Sequence, residues 1–181
     1  MKVERVTRDT LTVVTEGEEE TRELGARLGA LLRPGDVVAL HGNLGAGKTR
    51  LIQGIARGMG IERPVTSPTF ILMNVYTGPD GRTLCHVDTY RLHDPVEEGY
   101  ELGLNQWLGG EDVCVVEWAE RIRPLLPKDH IWVEITILGE NTRRFTFHGR
   151  GERARARVRA LARALAPPEA RADFSPVPRR I

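Results

Sequence analysis

The chain has 181 residues, 40% of them hydrophobic and 28% charged, with a formal net charge of +1. That length and composition predict an ordinary globular protein with one core and no need of a disulfide or metal staple, and they exclude a chain drawn as a whole to nucleic acid or membrane by its charge. No apolar run approaches a membrane span, residues 1–12 lack the apolar stretch of a secretory signal, and Cys85 and Cys114 each sit in an apolar run as reduced core thiols would, so a cytoplasmic protein without membrane contact is expected.

Residues 5–14 alternate weakly and predict an edge strand. Thr15 and Glu18 stand at capping-box spacing, and Leu24, Leu28, Leu31 and Leu32 then fall on one helical face. The run RPGD at 33–36 turns the chain into VVALH at 37–41, a short buried parallel strand. A glycine loop follows, then a helix over 48–57 closed by Gly58 and Gly60, then a polar loop over 64–69. Strands at 70–76 and 83–88 flank the turn residues GPDG and predict a hairpin. Asp94 caps the next helix, with Pro95 in its first position and Glu97 completing a box, and a further turn is expected at 105–108. VCVVE at 113–117 reads as a second buried strand, and 131–138 with 143–148 as a second hairpin. Residues 151–166 are Ala, Arg and Leu with high helix propensity, stopped by Pro167 and Pro168. Because the glycine loop, GNLGAGKT at 42–49, fits G-x-x-x-x-G-K-[ST] between a strand and a helix, the expected fold is α/β, a P-loop NTPase with a mixed, mostly parallel sheet flanked by helices and carrying antiparallel hairpins. Its divisions are a P-loop domain over 1–149 and an arginine-rich helix with a flexible C-terminal tail over 150–181.

Gly42, Asn43, Leu44, Gly45, Ala46, Gly47, Lys48 and Thr49 fit G-x-x-x-x-G-K-[ST] between a strand and a helix. The glycines let successive backbone N–H groups turn inward as an anion nest, and the helix aims its free N–H groups and dipole at the same phosphates. Lys48 is placed for the β- and γ-phosphates and the Thr49 hydroxyl for Mg²⁺. An acid must complete the cation's shell, and two strands end in one, at Asp88 and Glu117; the pattern alone does not rank them, although 113–116 is the more continuously apolar. His86, Asp88 and Tyr90 share a strand face by their spacing, with Arg91 directly after, and such a stripe can orient water, bind Mg²⁺ or hold a moving loop. Ser67 and Thr69 offer hydroxyls on a loop that suits a γ-phosphate sensor or an ordinary turn, and Trp118 follows Glu117 as a core anchor or a partner for something planar or cationic.

These motifs in order, the 42–49 loop, Ser67-Pro68-Thr69, His86-x-Asp88-x-Tyr90-Arg91 and Val116-Glu117-Trp118, resemble the bacterial TsaE (YjeE) family over roughly residues 15–149. The resemblance implies a slow ATPase, using ATP and Mg²⁺, that works with a TsaB–TsaD complex to form threonylcarbamoyladenosine in tRNAs reading ANN codons. Matched by position, Thr49 and Glu117 would hold Mg²⁺, Lys48 would hold phosphate, and Asp88 would position water or complete the outer Mg²⁺ shell. Ser67 and Thr69 would lie in a switch-like loop, Trp118 near the nucleotide, and Thr21 and Arg143 would contact it. A small-molecule kinase on the same fold and a nucleotide-gated binding module are the alternative readings. The segment 150–181 extends past the motifs. Arg150, Arg153, Arg155, Arg157, Arg159 and Arg163 form either a solvated helix face or a basic tail that meets tRNA phosphates or an acidic partner.

Overall fold

The β-branched runs at 37–41 and 113–117 become neighbouring parallel strands in the middle of one sheet. The computed structural model describes residues 1–43, 45–66 and 72–168. In chain order its elements are β1 (Lys2–Val6), β2 (Thr10–Glu16), α1 (Glu18–Leu31), β3 (Val37–Gly42), α2 (Lys48–Gly58), β4 (Met73–Thr77), β5 (Thr83–Asp88), α3 (Pro95–Glu101), α4 (Leu104–Trp107) and β6 (Val113–Glu117). A 3₁₀ segment, Ala119–Leu125, then leads to β7 (His130–Ile137), β8 (Thr142–Arg150) and α5 (Glu152–Leu165). The strands lie in the order β1-β2-β8-β7-β3-β6-β5-β4.

The sheet is mixed, but the expectation that it is mostly parallel is corrected. Parallel pairing is confined to β7–β3, β3–β6 and β6–β5, while β1–β2, β2–β8, β7–β8 and β4–β5 are antiparallel. The physical reason is connection length. Turns too short for a crossover join β1 to β2, β4 to β5 and β7 to β8, and short turns permit only antiparallel neighbours. The single edge strand expected at 5–14 is two strands, and β2 lies inside the sheet against β8.

Alternation sorts each strand between two cores. One face joins Leu11, Val13, Val38, Leu40, Val115, Val133, Phe145 and Phe147 to Leu24, Leu28, Ile52, Ile55, Val158 and Leu161 of α1, α2 and α5. The other joins Val37, Ala39, Cys85, Val87, Cys114 and Val116 to Leu104, Leu108, Ile122 and Leu125. Both cysteines are free and buried; Cys114 is pushed up by the neighbouring Cys85 thiol and by burial, which keeps it a thiol. Helices α1 and α2 approach backbone to backbone. A Cβ at Gly25 would meet the Leu51 carbonyl, one at Gly29 that of Ile55, one at Gly54 that of Arg22 and one at Gly58 that of Ala26. Only glycine permits that spacing, which fixes α1 directly beside the helix that follows the glycine loop.

The capping box at Thr15 and Glu18 does not form. Thr15 stays paired in β2 opposite Arg143, its hydroxyl lies 2.9 Å from that of Thr21, and α1 starts from Gly17 without a side-chain cap. At α3 the Asp94 carboxylate accepts from Glu97 N–H, but the reciprocal bond to Asp94 N–H comes from Glu98, not Glu97. Arg150 closes β8 and precedes α5, whose first N–H groups are capped by Asp129 through Arg153 N and Ala154 N, both at 2.9 Å. Arg153 and Arg157 hold the buried Asp36 carboxylate at 3.1 and 2.7 Å, and Arg155 pairs with Asp9, so three of the helix's arginines are internal ties. Ala154, Val158, Leu161 and Ala162 bury α5 in the same core as β2 and β8. Residues 169–181, with the expected tail, lie outside the described residues.

Candidate functional site

Three parallel strands, β3, β6 and β5, end side by side, and their register sets Leu40 beside Glu117 and Glu117 beside Asp88. The period of two puts Glu117 on the face of Val113 and Val115, and Asp88 on the face of Leu84 and His86. That face is the one α2 covers. Both carboxylates therefore stand at the carboxyl ends of the strands beside the start of α2, where open α/β sheets bind ligands.

A cavity of about 480 Å³ opens there. Thr21, Gly45, Gly47, Lys48, Thr49, Asp88, Tyr90, Glu117, Trp118 and Arg143 all line it, which brings ten residues singled out in the sequence to one place. Gly45 and Gly47 have φ of 77° and 103°, so the loop needs glycine at both to turn its N–H groups inward. The N-terminus of α2 opens onto the cavity with Lys48 and Thr49 in its first turn.

Lys48 is buried, its Nζ donating to Gly42 O at 2.6 Å and standing 3.5 Å from the centroid of the Trp118 ring. Desolvation lowers its pKa, opposed by the charges of Glu117, Glu120 and Asp88. Glu117 is also buried, and His86 Nε2–H donates to its Oε2 at 2.7 Å. His86 is fully buried behind that carboxylate, with no partner for Nδ1 among the described residues. His86 thus orients Glu117 from behind and leaves Oε1 free of it.

Trp118 has φ 58°, alone in the left-handed region among the described non-glycine residues. The Thr89 hydroxyl holds this conformation, 2.8 Å from Trp118 O and 3.2 Å from Glu117 O. The left-handed turn aims the indole over Lys48, and the Tyr90 ring lies against it with centroids 5.1 Å apart. Arg143 donates to Gly139 O at 2.7 Å and to Gly45 O at 3.2 Å, tying the β7–β8 turn to the glycine loop.

Other expected residues stand apart. Asn43 lines a neighbouring shallow pocket with His41 and Glu134, Ala46 is buried in the core, and Arg91 is exposed outside the cavity. Leu44, Ser67 and Thr69 lie outside the described residues. Sequence reasoning missed Gly17, Glu18, Arg50, Glu140 and Asn141, which also line the cavity, and Arg121, whose guanidinium donates to the carbonyls of Thr89, Tyr90 and Leu92. No local pattern marks Arg121, because its partners lie about thirty positions earlier in the chain.

Burial holds the Asp88 carboxyl above the usual carboxylate range; Glu117 pushes the same way, while Tyr90 N–H, His86 and Lys48 pull it down. The folded carboxyl therefore binds its proton more tightly than the unfolded chain does. Ionising it works against the fold above the unfolded value, near about pH 4. Asp88→Asn removes that penalty. The variant is expected to melt above the wild type at neutral pH, with the gap closing as pH falls from the raised folded value toward the unfolded one, about 4. Thermal melts across pH check this, and a neutral-pH melting temperature at or below wild type refutes it.

The donor set is hard oxygen: the Thr49 hydroxyl and the Asp88 and Glu117 carboxylates. Among the described residues no cluster of three or more His, Cys, Asp or Glu forms a protein-only metal site. A cation held by one or two carboxylates, a hydroxyl and a ligand's phosphates suits Mg²⁺, which rarely uses an all-protein cage. Among the described residues, no helix is long and apolar enough to cross a membrane.

Comparison with known proteins places the chain in a family. The family described as threonylcarbamoyl adenosine biosynthesis protein TsaE matches residues 15–145. The chain is similar to the tRNA threonylcarbamoyladenosine biosynthesis protein TsaE of Bacillus subtilis, 40% identical over 150 residues, 82% of this chain and 92% of that protein. It is likewise similar to that of Streptomyces coelicolor, 44% identical over 147 residues, 78% of this chain and 99% of that protein. The crystal structure of Bacillus subtilis YdiB aligns with a TM-score of 0.74 at 34% identity, covering 91% of this chain and 98% of that one.

Proposed function

The chain belongs to the TsaE family, and from that premise we propose that it is a Mg²⁺-dependent ATPase acting with a TsaB–TsaD complex in forming threonylcarbamoyladenosine in tRNA. The observation that carries this reading is the meeting of Lys48, Thr49, Asp88 and Glu117 in one cavity at the start of α2. In phosphoryl transfer positioning and electrostatics do most of the work, and each of these residues has a part in that. The inward N–H groups of the glycine loop and Lys48 hold the β- and γ-phosphate oxygens. Thr49 and Glu117 would hold the cation, with His86 fixing the Glu117 carboxylate through Oε2 and leaving Oε1 for it. A Mg²⁺ held there would supply positive charge against the negative charge that develops on the phosphoryl oxygens. Asp88 accepts a hydrogen bond from the attacking water and aims it. Tyr90 and Trp118 close the outer wall, and Arg143 fixes the glycine loop from the opposite side.

Tyr90, between β5 and α3, lines the cavity where a partner would complete the site, and hydrolysis slow alone and faster with the partner complex is the reading's expectation. The test is single-turnover hydrolysis with and without TsaB–TsaD, alongside modified-nucleoside analysis of tRNA. Phosphate release that quickens with the complex, and repeated tRNA modification only when this chain is added, are expected. Transfer of the γ-phosphate to a small-molecule acceptor would replace the reading by a kinase. Nucleotide binding without hydrolysis under either condition would replace it by a nucleotide-gated module.

A further inference from the structure

Residues 94–112 hold six carboxylates, Asp94, Glu97, Glu98, Glu101, Glu111 and Asp112, and no lysine, arginine or histidine, in a chain with 26 lysines and arginines. None of the six has an ion-pair partner among the described residues, whereas Glu18, Glu19, Glu23, Asp36 and Asp80 are all paired. Burial and the charge of Glu111 hold the Asp112 carboxyl above its usual range, so the crowding of like charge has no local compensation. Set among these acids, Tyr100, Leu102 and Trp107 are 51%, 56% and 40% exposed. Three of the large hydrophobic side chains that the protein exposes thus fall within eight residues.

This corner is rigidly seated. Gly99 is buried where a Cβ would meet the Leu125 side chain, and Leu104 and Leu108 anchor α4 in the second core. Tyr100 and Leu102 are therefore presented outward, while Trp107 keeps one edge against the buried Cys85 and exposes the rest. Aromatic and aliphatic groups on a fixed base, ringed by uncompensated charge of one sign, make a surface complementary to cations beside apolar groups.

We propose that the α3–α4 corner is a docking surface for a partner protein that presents lysine or arginine next to an apolar side chain. This rests on the partner-dependent reading given above. The sign of the charge repels a phosphate backbone, which sets RNA aside as the occupant. The segment that leads into the corner lines the cavity through Asp88 and Tyr90. Asp88 ends β5, Tyr90 stands against Trp118, and Arg121 gathers the carbonyls of Thr89, Tyr90 and Leu92 just before α3 begins. A partner seated on α3 bears directly on that wall of the site.

The experiment measures binding of the full chain to the cognate TsaB–TsaD complex across a salt series. Two double variants are compared with wild type, Glu97→Lys with Glu101→Lys, and Tyr100→Ser with Leu102→Ser. Each pair is expected to raise the dissociation constant by about tenfold or more. The charge pair should also flatten the salt dependence of the association rate. Basal ATP hydrolysis and the melting temperature should stay at wild-type values, because all four side chains are exposed and outside the cavity. Wild-type affinity in both double variants overturns the surface while leaving the partner reading intact. Failure of the wild-type chain to bind the complex overturns the partner reading and the surface with it. Loss of tRNA binding in the Tyr100→Ser, Leu102→Ser variant, with TsaB–TsaD affinity unchanged, would assign the corner to RNA and overturn the proposal.

Discussion

Replacing Lys48 by alanine is expected to lower single-turnover ATP hydrolysis by about two to three orders of magnitude, the usual cost of losing one preorganised donor from a transition-state site. The ammonium is held ready by weak partners, a neutral carbonyl at Gly42 and the face of Trp118. A phosphate oxygen offers a charge-assisted bond about twice as strong as a neutral one, so the lysine can exchange Gly42 O for nucleotide. Burial already lowers the Lys48 pKa, so less hydration remains to be stripped when the phosphates arrive. Arginine should not rescue the activity, because a planar fork does not fit a pocket built for a compact charge. A readout independent of turnover exists, since the Lys48 Nζ lies 3.5 Å from the Trp118 ring centroid. Trp118 emission in the absence of nucleotide should differ between wild type and Lys48→Ala, and addition of Mg·ATP should change it only in the wild type. Hydrolysis within about threefold of wild type would remove Lys48 from the role given to it.

The glycine loop, β3 and α2 were legible from local pattern because each is fixed by residues close in sequence. Gly45 and Gly47 supply the left-handed turns, and α2 shows its apolar face in Leu51, Ile52 and Ile55. The hairpins were legible for the same reason, from turn residues between alternating runs. Strand order was not. The pattern of β2 and β8 reveals which side chains are inward but not that the two strands pair, and the share of parallel strands was overestimated accordingly. Local capping signals failed where a distant contact won. Thr15 fits a capping box, yet pairing with β8 and its contact with Thr21 keep it in β2. Likewise the arginine run at 153–157 reads as a solvated basic stripe, and only the folded chain reveals Asp36 and Asp9 as its partners.

The candidate site divides along the same line. Asp88 and Glu117 could be named because each ends an apolar run, but that they stand side by side depends on the β5–β6 register. That register places His86 where its imidazole can reach the Glu117 carboxylate, a relation between residues thirty-one positions apart. The left-handed Trp118 was hidden for another reason: no glycine marks the turn, and the hydroxyl that holds it belongs to Thr89 on the neighbouring strand's exit.

Glu117→Gln should lower hydrolysis by about a hundredfold or more and shift the Mg²⁺ requirement upward by about the same factor, since the change keeps the shape and removes the charge. The glutamine oxygen can still accept the His86 N–H, so the buried pair stays satisfied and the fold should hold. His86→Gln should act in the same direction but less, about ten- to a hundredfold on metal affinity, as expected of a residue that orients a ligand without touching the ion. Mn²⁺ binding followed by electron paramagnetic resonance reads both effects without turnover. The pH profile separates metal binding from simple field effects. The Glu117 charge is the first among the groups that raise the Lys48 pKa, ahead of Glu120 and Asp88. Removing it leaves the desolvated lysine less supported, so the alkaline limb should move to lower pH in Glu117→Gln, whereas Glu120→Gln should move it less and leave the Mg²⁺ requirement unchanged. If Glu117→Gln shifted the alkaline limb with a normal Mg²⁺ requirement, Glu117 would be a partner of Lys48 and no ligand of the cation, and Asp88 would inherit that place.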